Sequence, residues 1–93
     1  MKILMKNRSD LMKDLGRTLK KHRLQTGLSQ MALAKALGYS TSQFVCNWER
    51  GLALPPMKTA SKLVKMLDLN AKVFKEYFLK IATVEIERTF KRI

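Results

Sequence analysis

The residues best equipped for chemistry in this sequence lie between Thr41 and Asn47. Ser42, Gln43 and Asn47 are uncharged and rich in hydrogen-bonding groups. Asn and Gln each carry a donor and an acceptor side by side, which matches the edge of an adenine, and a serine hydroxyl can contact several bases. Nucleophilic and metal chemistry is poorly supplied by comparison. Cys46 is the only cysteine and His22 the only histidine. A structural zinc needs four ligands and a disulfide two thiols, so one chain can build neither. A cysteine–histidine nucleophile pair would lack a third group to orient it. The expectation is no enzyme, no metal, no cofactor and no small-molecule ligand. Cys46 reads as a small, partly buried helix residue.

Side chains that read an edge need a helix to aim them, and the sequence supplies short helices punctuated by glycine and proline. Ser9 or Asp10 can cap a first helix over 11–26, with Leu11, Leu15 and Leu19 on one face and Gly27 as its stop. Ser29 caps a second over 30–37, with Leu33, Ala34 and Leu37 inward and Gly38 behind it. A polar turn at Tyr39, Ser40 and Thr41 leads to a third over 42–50, with Val45 and Trp48 inward and Gly51 as its end. Two prolines make 52–56 a loop. A fourth helix follows over 57–67, buried through Leu63, Val64 and Leu67, and Asn70 caps a fifth that begins at Ala71. Five helices without a clear strand pair define an all-α fold. No internal repeat or low-complexity tract interrupts it.

Charge points to the partner. Nineteen Lys and Arg against seven Asp and Glu give +12 in 93 residues. Such an excess implies a polyanion, because each phosphate neutralised releases a counterion. The distribution is more informative than the total. Residues 1–26 hold eight basic and two acidic groups, 27–56 hold two and one, and 57–93 hold nine and four. A nearly neutral reader between two basic flanks suits base contacts held by phosphate contacts on either side. No apolar run is long enough for a membrane span, and the first residues are too short of apolar character for a signal peptide. The expected location is the cytoplasm.

Three motifs then stand together: Gly27-Leu28-Ser29-Gln30, Leu33-Ala34-Lys35-Ala36-Leu37-Gly38 and Trp48-Glu49-Arg50-Gly51. As a set they resemble the phage-repressor and Cro-type, or XRE-type, helix-turn-helix family over residues 11 to 79. The resemblance implies a five-helix domain that lays its third helix in the major groove of duplex DNA. It implies Gln30 at a backbone phosphate and Ser42, Gln43 and Asn47 toward bases. It also implies an ion pair between Arg23 and Glu49 that locks the first helix to the reading helix. That pair has a physical rationale, since a charge beside a small core must be matched and arginine grips a carboxylate with two bonds. The alternative for both is solvated surface charge. Ser29 joins Gln30 at the phosphate because a helix N-terminus offers free N–H groups.

The sequence departs from the family in four ways. One extra residue separates Gly38 from Trp48, which adds Thr41 and Phe44 to the candidate base readers. Phe44 can meet a thymine methyl or pack on the loop. His22 stands where a small or branched apolar residue is usual, and reads as half-buried packing rather than a pH sensor. The 52–56 loop is apolar, so phosphate contacts there fall to Arg50, Lys58 or backbone N–H groups. Finally, the chain continues past the fifth helix.

That continuation carries Ile81, Val84, Ile86 and Phe90, expected as a dimerisation element, while Val73, Phe74 and Tyr77 pack on their own domain. Thr83 to Arg88 alternates and is β-branched, so a short strand rivals a helical extension. The expected organisation is a basic arm over 1–10, the DNA-binding domain over 11–79 and an extension over 80–93. The function expected is a sequence-specific, double-stranded-DNA-binding transcriptional regulator, a repressor acting as a homodimer. The alternative is an antitoxin-like or other interaction module whose apolar tail grips a protein partner. Binding of RNA or an anionic membrane surface by charge alone is the third reading, and no aromatic stacking platform supports the RNA version.

Overall fold

In the computed structural model, which describes residues 7–91, five α-helices follow in chain order: α1 (Arg8–Thr26), α2 (Gln30–Ala36), α3 (Gln43–Glu49), α4 (Met57–Met66) and α5 (Ala71–Phe90). No strand occurs among the described residues. Helix α1 packs against both α3 and α5, and α2 packs against α3. Residues 1–6 of the expected basic arm lie outside the described residues.

Local signals explain most boundaries. Ser29 accepts a hydrogen bond from Ala32 N at 3.0 Å and Asn70 one from Val73 N at 3.1 Å, each satisfying an orphan donor of the following helix. Helix α1 ends where Gly27 turns left-handed, with φ 80°, and its N–H donates to Leu24 O. Its start differs from expectation. The helix begins at Arg8, and Asn7 rather than Ser9 or Asp10 is the cap, accepting from Asp10 N at 2.9 Å. Asn7 sits three residues before a free N–H, and Ser9 and Asp10 are simply part of the first turn.

The core gathers Leu11, Leu15 and Leu19 of α1, Leu33 and Ala34 of α2, Val45 and Trp48 of α3, Ala60 and Leu63 of α4, and Phe74 and Ile81 of α5. Of the two forms weighed for the C-terminal segment, the structure shows the helix. It runs unbroken through residue 80, where the domain and its extension were expected to divide, and it replaces the rival strand. Thr83 Oγ1 and Thr89 Oγ1 each donate back to a carbonyl four residues earlier, at 2.8 Å, which a helix allows at its solvent face. Ile81, expected at a dimer contact, is 3% exposed and belongs to this chain's own core, and Val84 packs beside it half-buried. Ile86 and Phe90 remain exposed. Among the described residues no helix is long and apolar enough to cross a membrane.

Candidate nucleic-acid interface

A helix of seven residues has little stability alone, so α3 must be held by what surrounds it. Val45 and Trp48 anchor its inner side in the core. Gly16 allows α1 to cross it at backbone contact: a Cβ there would lie 2.5 Å from the carbonyl oxygens of Trp48 and Glu49. Gly51, with φ 74°, then turns the chain away against the backbone of Lys13.

The third restraint is a buried polar network. Arg23 Nε donates to Glu49 Oε2 at 2.6 Å and Arg23 Nη2 to Oε1 at 3.1 Å, so the guanidinium grips the carboxylate with two bonds. Gln30 Nε2 donates to the same Oε1 at 3.0 Å, and Arg23 Nη1 donates to Leu28 O at 2.8 Å. Both charged side chains are almost fully buried, so they are not solvated surface charges. One cluster therefore ties α1, the turn after it, α2 and α3 together. Gln30, expected at a phosphate, donates one amide hydrogen into this network and is half-buried.

What α3 turns outward is polar. Gln43 is exposed and Asn47 half-exposed, and Gln43 Nε2 donates to Asn47 Oδ1 at 2.9 Å, one helical turn apart. Thr41 is exposed in the preceding turn, and its Oγ1 accepts from Gln43 N at 3.2 Å. Ser42 occupies the cap position without a side-chain capping bond and is half-buried. Because α3 starts at Gln43, residues 39–42 form the turn ahead of it. Phe44 packs its ring on Tyr39 in the turn, with centroids 4.8 Å apart, and stays 48% exposed. Tyr39 also meets Trp48 edge-on and contacts Thr59 of α4 through its hydroxyl at 3.3 Å.

Two of the residues expected at phosphates are exposed cations. Arg50 is exposed at the C-terminal end of α3, and Lys58 is exposed in the first turn of α4. Ser29 is exposed at the start of α2. His22 is half-buried on α1 and Cys46 half-buried on α3. Among the described residues no group of three or more His, Cys, Asp or Glu gathers as a metal site would require.

The structure also shows contributors that the sequence reading passed over: Gly16, the Leu28 carbonyl, the role of Gln30 and the Tyr39–Thr59 tie. Only Gly16 carried a signal, since a lone glycine inside a helical pattern marks a close backbone approach.

Two short helices, α2 and α3, joined by a turn and braced by α1, define a DNA-binding domain of the helix-turn-helix class. A family model described as a helix-turn-helix domain matches residues 14–73, and the chain belongs to that family. The match accords with the resemblance to repressor and Cro-type proteins. A comparison with curated proteins found no match.

Proposed function

We propose that this protein is a transcriptional regulator that reads specific double-stranded DNA with α3 in the major groove and acts as a homodimer, repressing by occupying its site. The observation that carries the reading is the pairing of an outward polar edge, Gln43 and Asn47, with a buried network that fixes the helix bearing it. A helix aimed at a groove must resist rotation, and the network supplies that resistance. In this reading Gln43 and Asn47 contact bases, with Thr41, Ser42 and the exposed edge of Phe44 beside them. Ser29, Arg50 and Lys58 hold phosphates, and Gln30 adds a contact through its second amide hydrogen.

The test is a selection of bound duplexes from a random library, followed by titration of the selected site. The expected consensus is palindromic, with half-sites about one helical turn apart. Asn47→Ala should then cost about 1–3 kcal/mol on the selected site and little on scrambled DNA. Equal losses on both would remove Asn47 as a base reader. Scrambled duplexes competing as well as the selected one would overturn sequence-specific binding altogether.

A further inference from the structure

An apolar trough runs along the side where α4 meets α5. Val64 and Phe74 line one hollow of about 220 Å³, and Pro55 and Ile81 line a second of about 300 Å³. Met57 and Phe78 line both, which makes the two continuous. Hollows of this size lie at or below the floor for small-molecule pockets and suit single side chains. Arg8 and Glu85, paired at 2.9 Å, line the second hollow. The trough therefore reaches the first residue of α1, and the chain ahead of that residue starts beside it.

We propose that residues 1–6 of the same chain lie extended in this trough and cover it. Three observations select this occupant. The first is the tether: Lys6 is two residues from Arg8 at the mouth of the trough, so the segment is held there at an effective concentration that a free partner does not match. The second is length. Six extended residues reach about 20 Å, and the trough from Glu85 back to Phe74 runs about 16 Å along α5. The third is pattern. In an extended chain successive side chains point to opposite sides, so Met1, Ile3 and Met5 share one side and Lys2, Leu4 and Lys6 the other. The first set is wholly apolar and fits the trough, and the second leaves both charges in water. Asn7 already enters α1 extended, with φ −79° and ψ 174°. In this arrangement Met5 lies against Phe78 and Ile81, and Met1 against Phe74 and Val64. The inference stands apart from the DNA-binding reading, and it gives the first residues a role within the domain in place of a contact to phosphate.

The experiment uses the full chain, without DNA, carrying carbon-13 in its methionine methyl groups. Nuclear Overhauser contacts should join the Met5 methyl to Phe78 or Ile81, and the Met1 methyl to Phe74 or Val64. Met57→Lys, at an exposed residue common to both hollows, should abolish these contacts while the helical circular dichroism is kept. Ile3→Asp should lower the urea midpoint of the unmodified chain and leave that of Met57→Lys unchanged, because the two changes remove one interaction. Met1 and Met5 methyls with no contact to the trough in the unmodified chain would overturn the proposal. Contacts that survive Met57→Lys in a folded chain would overturn the trough as their seat. Contacts found only between labelled and unlabelled chains in a mixture would make the occupant the segment of a second copy and overturn the intrachain arrangement.

Discussion

A buried carboxylate is stable only while its donors stay in place, and Glu49 depends on two side chains from two other helices. Glu49→Ala would strand the Arg23 guanidinium in a dry site, and loss of one partner from such a pair costs about 3–5 kcal/mol. Urea unfolding followed by circular dichroism should show that loss, a large share of the stability of so small a domain. Arg23 and Glu49 were legible as a pair because their residue types sit in motifs with a known arrangement. Gln30 was half-legible: its type suggested a polar contact, but a sequence gives no distance between residues 19 positions apart. Phe44 was open for a similar reason. Whether an aromatic packs or protrudes depends on the neighbour it finds, and Tyr39 is that neighbour.

At the scale of elements, the crossing of α1 over α3 is fixed by what Gly16 lacks. In an exposed helix, exchanging glycine for alanine gains about 1 kcal/mol from propensity. Here the added methyl would collide with two carbonyl oxygens that cannot yield without moving α3. Gly16→Ala should therefore lower stability by about 1–3 kcal/mol, measured by thermal or urea unfolding, against the sign that propensity dictates. All five helices could be read from apolar spacing and from Gly, Pro and Asn punctuation, because those signals are local. The fate of residues 80–90 could not. Alternating β-branched residues suit a strand when a partner strand exists, and there is none among the described residues. The helix continues because Ile81 lies one turn beyond Phe78 and Tyr77, Val84 lies one turn further, and both find the same core.

For the whole molecule, the proposed function divides binding between the excess of twelve positive charges, which would attract any duplex, and α3, which would select among them. These contributions separate in a salt titration. Lys58→Ala should weaken binding to selected and scrambled duplexes alike and reduce the slope of log affinity against log salt by about one. A loss confined to the selected site would instead make Lys58 a base reader. The uneven charge along the chain was visible in sequence, and so was the neutral middle. Where Lys58 stands was not, because only folding ties the next residue, Thr59 of α4, to Tyr39 in the turn ahead of α3.

The cluster joining Arg23, Leu28, Gln30 and Glu49 has a thermodynamic corollary. Rotational freedom between the bracing and reading helices is surrendered during folding, before any ligand arrives, so a preorganised domain meets its target. Calorimetry on the domain and its operator should accordingly give a heat-capacity change no larger than the contact surface alone demands, without the added increment of a segment that folds as it binds.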